Sequence, residues 1–307
     1  MNLVAAGMLV ASTASASPAT VFAPGVISGP AHEASPAFTP DGKTVYFSRQ
    51  NANVQIILES HRTTTGWSEP AIASFSGTWN DLEPAMAPDG TYLVFVSNRP
   101  SKPDGQVIDG NYGGKRQIGA GGNLWRVDRT VKGWGPAIRL SESINSSPST
   151  FAPAIAKDGS LYFMQPGPKD KFVLYRAAKT ASGFDAPVAL AFSDPAYSHV
   201  DPAVAADDSF MVFASTRPPA LDMDLFLVKR TTSGWGTPLH LAALSAPGSD
   251  AELRLSPDGK TLYFSSERIE DSHSPRSASE AKAALAAFAW NNSLYNIWQA
   301  DLTPYLR

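Results

Sequence analysis

Five times along the chain a short apolar run gives way to a polar turn and then to a second run of apolar and aromatic residues. The five phrases are SPAFTPDGKTVYFSR, EPAMAPDGTYLVFVSNRP, APAIAKDGSLYFMQPG, DPAVAADDSFMVFASTRP and ELRLSPDGKTLYFSSER, with turn aspartates Asp41, Asp89, Asp158, Asp207 and Asp258. Asp-Gly accepts the positive φ that a two-residue hairpin demands, and runs such as TVYFS suit a pleated strand, so each phrase predicts strand, tight turn, strand. A second phrase follows each of the first four: VQIILESHRTTTGWSEPAIA, NLWRVDRTVKGWGPAIRL, FVLYRAAKTASGFDAPVAL and DLFLVKRTTSGWGTPLHLA. It predicts a third strand, a glycine-aromatic turn (Trp67, Trp134, Phe184, Trp235) and a fourth strand carrying a proline. Proline cannot donate to a ladder, so that strand belongs at an outer edge.

The aspartates are spaced by 48, 69, 49 and 51 residues. Four strands per unit at such a period is the pattern of a β-propeller. The last unit supplies only three strands, whereas TVFAPGVIS, ahead of the first, has the look of the missing one. The expected fold is therefore all-β: a five-bladed β-propeller of four-stranded blades, the last blade closed by the N-terminal strand, which removes an exposed edge. Two insertions interrupt the pattern. Residues 101–122 account for the long spacing, and residues 267–292 contain SASEAKAALAAFAW, where Ser277 and Glu280 form a capping box that predicts a short helix near residues 277–290.

The phrases SPDGKTLYFSSER and EPAMAPDGTYLVFVSNRP resemble the TolB-like, WD-like β-propeller repeats of exported bacterial proteins. The resemblance covers nearly the whole chain after residue 16. It implies the fold; related repeats serve in protein-interaction modules, in TolB and as the propeller of prolyl-oligopeptidase-type enzymes, so function is not implied. Neither TolB's accessory domain nor an α/β-hydrolase domain is evident in this sequence.

Charge and composition narrow the partners. A net charge of -3 without a basic cluster argues against nucleic acid, and the absence of cysteine excludes disulfides, thiolate metal sites and cysteine nucleophiles. The stretch MNLVAAGMLVASTASASPA reads as a secretory signal peptide over residues 1–16, ending in an A-x-A pattern, with a single propeller domain over 17–307. No later run approaches the roughly 20 apolar residues of a membrane span. The expectation is a periplasmic or secreted monomer whose partner is an envelope protein, a peptide or a glycan.

Candidate chemistry clusters where the first strands begin. Glu33, Asp81 with Glu83, His199 with Asp201, and Asp250 with Glu252 precede or flank the first-strand prolines or their equivalent, and should converge as an acidic ring at one mouth of the channel. Arg49, Arg99, Arg217 and Arg268 end the second strands of the same four blades, whereas the third blade has Thr150 and Ala152 and lacks the arginine. Three readings stand side by side: arginine-carboxylate staples; a cation or polar-ligand site, calcium being the hard cation that oxygen ligands suit; and a carboxylate pair for glycosidase chemistry. Trp79 and Tyr197 do not repeat and lie beside the acids, which makes them aromatic ligand candidates, while the repeating tryptophans read as inter-blade packing. The leading expectation is a non-catalytic binding module for a protein, peptide or polar glycan at the acidic, loop-covered mouth, with no cofactor. The alternative is a glycan-directed hydrolase or lyase, metal-dependent or not, using the rim carboxylates and His199.

Overall fold

The computed structural model describes residues 19–268 and 275–307; residues 1–16, expected from the sequence to be a signal peptide, lie outside them. Five four-stranded blades surround a central channel. Their innermost strands are His32–Phe38, Asp81–Met86, Phe151–Ile155, His199–Val204 and Asp250–Leu255. Each runs to its polar turn and pairs antiparallel with the strand that follows. At the turns, Gly42, Gly90, Gly159 and Gly259 take φ between 66° and 81°, and Asp208 takes the same place at 61° in the blade that lacks the glycine. The aspartate one residue earlier caps its turn: Asp89 Oδ1, for instance, accepts from the Thr91 N–H at 2.9 Å.

The last blade is completed from the other end of the chain. Thr20 pairs with Gln299 and Val21 with Trp298, so the strand Thr20–Val21 forms the outer edge of the blade whose third strand is Asn296–Asp301. The tryptophans of the fourth-strand turns bridge blades as the repeat suggested. Trp134 Nε1 donates to Tyr46 Oη of the preceding blade at 3.1 Å, Trp67 packs against Phe22 beside the strand that completes the fifth blade, and Trp235 against Tyr162 of the third. A basic residue in or just past the third strand lies over each of these aromatics, Arg230 at 3.8 Å from the Trp235 ring centroid.

Both insertions lie at the end of the channel where the first strands begin. The first forms a small hairpin, Gly110–Tyr112 with Lys115–Gln117, and seats Tyr112 edge-on against Phe151. The second carries the helix Ala278–Ala287, with both halves of the Ser277–Glu280 capping box formed; residues 269–274 of this insertion lie outside the described structure. No described helix is long and apolar enough to cross a membrane.

Each innermost strand has one irregularity, and it positions the site. Ladder pairing skips Ser35, Glu83, Ala152, Asp201 and Glu252 together with the residue after each. These five residues have φ of 51–55°, a left-handed conformation costly for any residue but glycine. The residue after each is proline in four blades and Leu253 in the fifth. Proline has no N–H to leave unpaired, so it fits a bulge in which the ladder is broken.

Candidate functional site: two tiers of acids in the channel

The acids do not form one ring. They form two tiers, separated by two residues along each strand. In the outer tier each carboxylate ties the start of an innermost strand to an arginine and to the connection between blades. Glu33 accepts from Arg49 Nε at 2.8 Å and from the Gly29 N–H at 2.9 Å. Asp81 accepts from Arg99 Nη2 at 2.7 Å and from Ser76 Oγ at 3.0 Å. Asp250 accepts from Arg268 Nη2 at 2.6 Å and from the Ala246 N–H at 3.0 Å. All three acids are buried. Burial pushes all three carboxyls up, Glu33 to about 7, against the pull of their arginines and, for Glu33, of the Gly29 N–H.

The other two blades make the same staple without charge. His199 hydrogen-bonds Ser215 Oγ at 2.9 Å and the Asp194 carbonyl at 3.0 Å, and burial lowers its pKa to about 4, so its ring is neutral at pH 7. Gln165 Nε2 donates to Thr150 Oγ1 at 2.7 Å and to the Ile144 carbonyl at 2.8 Å. Arg217 forms no ion pair with Asp201; it reaches the Phe192 carbonyl at 3.5 Å. The expected pairing thus holds for three blades, while the fourth substitutes histidine for the acid.

The inner tier is set by the bulges. Glu83, Asp201 and Glu252 converge around the channel, the first two only 5% and 3% exposed. Each links its blade to the next. Glu83 Oε2 accepts from the Ala152 N–H, Asp201 Oδ2 from the Glu252 N–H at 2.8 Å, and Glu252 Oε2 from Ser35 Oγ at 3.0 Å. The Glu83 N–H in turn donates to Ser48 Oγ of the blade before it at 2.8 Å. A belt of four inter-blade hydrogen bonds results, with its gap between the third and fourth blades, where Ala152 has no side chain to extend it.

These three acids face one cation, Arg254, which lies outside the sequence pattern of rim arginines. Arg254 occupies the position held by Ala37, Ala85, Ala154 and Ala203 in the other blades, and that single break in an alanine column was the available signal. Its side chain crosses the channel from the fifth blade to the second. Nε donates to the Pro84 carbonyl at 2.9 Å and Nη2 to the Glu83 carbonyl at 3.2 Å, while Nη1 bonds the Leu253 carbonyl at 2.7 Å. Three carboxylates against one guanidinium leaves a surplus of negative charge in a buried place. Burial, then repulsion from Asp201 and Glu252, pushes the Glu83 carboxyl well above the usual range, and burial with the Asp201 charge brings Glu252 up to about 7.

Tyr112 of the first insertion and Tyr295, just past the second, feel the charge of these acids. The Tyr112 hydroxyl is raised by burial and by Glu83, and that of Tyr295 by burial and, among other groups, Glu252 and Asp201. Neither tyrosine stood out in the sequence. Trp79 and Tyr197 lie in the connections ahead of the second and fourth blades and are half-buried. Among the described residues no group of three or more histidine, aspartate or glutamate side chains is arranged to hold a metal ion.

Comparison with known proteins bears on the fold. No family model and no curated protein matches the chain. Among solved structures it is similar to TolB from Acinetobacter baumannii (14% identity, TM-score 0.49, 88% of this chain) and to a putative TolB from Agrobacterium tumefaciens (16%, 0.50, 80% of this chain and 74% of that one). It spans only 54% of the length of the Acinetobacter protein. It is also similar to the α-L-arabinofuranosidase PaAbf62A from Podospora anserina, at 12% identity and a TM-score of 0.51, covering 94% of this chain and 97% of that one. At such identities the likeness is one of architecture, and the fold is a TolB-like propeller.

Proposed function

We propose that the chain is an exported, non-catalytic binding propeller that takes a protein, peptide or polar glycan at its loop-covered mouth, in the periplasm or outside the cell. The observation that carries this reading is the commitment of the titratable groups. The outer acids are held by arginines, His199 is locked between Ser215 and Asp194, and the inner acids are hydrogen-bonded across blade boundaries. Proton-transfer chemistry needs a group free to approach substrate, and these are engaged with the protein itself. Recognition asks less. Tyr112 of the first insertion and Tyr295, just past the second, both within the electrostatic reach of the inner acids, supply hydrogen-bonding, aromatic surface of the kind that contacts polar ligands.

One observation favours a second reading, a glycan-directed hydrolase. Glu252 is only half-buried, and its carboxyl is raised to about 7, as a general acid requires. The two readings separate in one experiment: thermal melting against peptide, glycan and divalent-cation panels, run beside glycosidase and peptidase assays. A ligand at a hundred times its Kd stabilises the native state by about 2.7 kcal/mol, a shift of several degrees. The binding reading expects such a shift, abolished by Tyr112→Ala with Tyr295→Ala, and no product. Product formation that Glu83→Gln or Glu252→Gln abolishes would replace it with the hydrolase.

A further inference from the structure

Beyond Arg254 the channel opens again. On the side of the hairpin turns lies a cavity of about 720 Å³, within the range of pockets that enclose small molecules. Its inner end is the alanine column with Arg254, and its wall is the next residue of each innermost strand: Phe38, Met86, Ile155, Val204 and Leu255. Pro40, Pro88 and Pro257 of the turns form the lip. The wall is apolar on all five blades. Bringing an apolar body here removes its surface and theirs from water together.

The charges at the opening are unevenly compensated. Asp158 is paired with Arg176 at 3.2 Å, Arg126 with Asp128 at 2.5 Å, and Asp89 is bonded by the Thr91 amide and hydroxyl. Lys157 and Lys179, both of the third blade and both on the cavity lining, form no ion pair among the described residues. Lys179 meets only neutral groups, the Gly183 carbonyl at 3.2 Å and the Phe184 ring at 5.1 Å. At the inner end the order is reversed, because the three inner carboxylates stand behind Arg254 and disfavour a second anion there.

We propose that this cavity is a binding site for an amphipathic anion, a medium-chain carboxylate being the simplest member of the class, seated tail inward with its head at Lys157 and Lys179. It is separate from the loop-covered mouth and does not depend on what binds there. Apolar wall and unpaired ammonium groups at the lip are complementary to the two ends of such a molecule.

The test is displacement of 1-anilinonaphthalene-8-sulfonate, followed by fluorescence on the whole chain, with decanoate, octanoate and decanol as competitors. Each buried methylene is worth roughly fourfold, so decanoate should compete about fifteenfold better than octanoate. It should also compete about tenfold better than decanol, which has the same tail and no charge. Lys157→Glu with Lys179→Glu, both exposed, should erase the advantage over decanol and leave decanol itself unchanged. Leu255→Glu should weaken every competitor. Equal competition by decanoate and decanol would overturn the anionic class. Failure of decanoate to bind or displace the probe, or displacement indifferent to both sets of variants, would overturn the site.

Discussion

Asp81 and Glu83 sit two residues apart on one strand, yet they live in different electrostatic worlds. Asp81, like Glu33 and Asp250, has an arginine of its own and a second donor from the neighbouring connection. Glu83, like Asp201 and Glu252, has backbone or hydroxyl donors from the next blade and a share in Arg254. The outer tier is close to neutral and local: each pair fixes one blade's entry. The inner tier is collective, because its members share one guanidinium and their burial and mutual repulsion favour the protonated carboxyl. The same residue type therefore staples a blade at one level and stores electrostatic tension at the next.

Removing Arg254 should break this contrast most severely. Arg254→Leu leaves the buried Glu83 and Asp201 and the half-buried Glu252 with no cation and opens the cross-channel hydrogen bonds; a loss of about 4 kcal/mol is expected in chemical denaturation at pH 7. Adding Glu83→Gln should recover part of it, and an additive loss in the double variant would refute the coupling.

Acid pH should show the inner tier next. Glu252 titrates at about 7 in the fold against 4.5 in an unfolded chain. Between those values the folded state holds a proton that the unfolded state has released. The Glu252 contribution is then full below pH 4.5, falls as pH rises toward 7 and is flat beyond, by about 3 kcal/mol at most, and Glu33 of the outer tier, also raised to about 7, adds a slope of the same sign. Glu252→Gln should make the slope shallower in urea titrations across that window; an unaltered slope would remove Glu252 from the account.

The outer tier should respond least. Arg99→Met exposes Asp81 to a cost of about 2 kcal/mol, below the loss of a fully buried partner because Ser76 continues to donate to the carboxylate. Asp81, released from Arg99, should add its own loss of stability with rising pH, while the part of the pH dependence that Glu252→Gln removes should stay in place. A change in that dependence would mean that the tiers are not separate.

The blades were legible because hairpin chemistry is local: Asp-Gly between two β-rich runs specifies strand, turn and strand within fifteen residues of chain. The closure by Thr20–Val21 was legible by subtraction, since the last unit is one strand short. The two tiers were not. On a regular strand, residues two apart face the same way, so Asp81 with Glu83, and Asp250 with Glu252, read as one acidic cluster. The bulge at the second member of each pair breaks that period, and its mark, a proline after it in four blades, says where the ladder stops without saying where a side chain goes. Arg254 escaped for a related reason. Its partners are carbonyls of a blade more than 160 residues away, as the separation of 170 from Pro84 shows, and contacts of that kind leave no local pattern.

The strand that completes the fifth blade also sets an order of events. Ser28 and Ile297 hydrogen-bond to each other across 269 residues of chain, and the Thr20–Val21 ladder beside them spans a similar distance. A ribosome or a translocon delivers the first partner long before the second. Until the final strand arrives, the first remains an unpaired edge and the ring stays open, so the closing contact is the one with the largest loop entropy to overcome. The channel, with both tiers of acids and the cavity beneath them, comes into being as an enclosed space only at that last step.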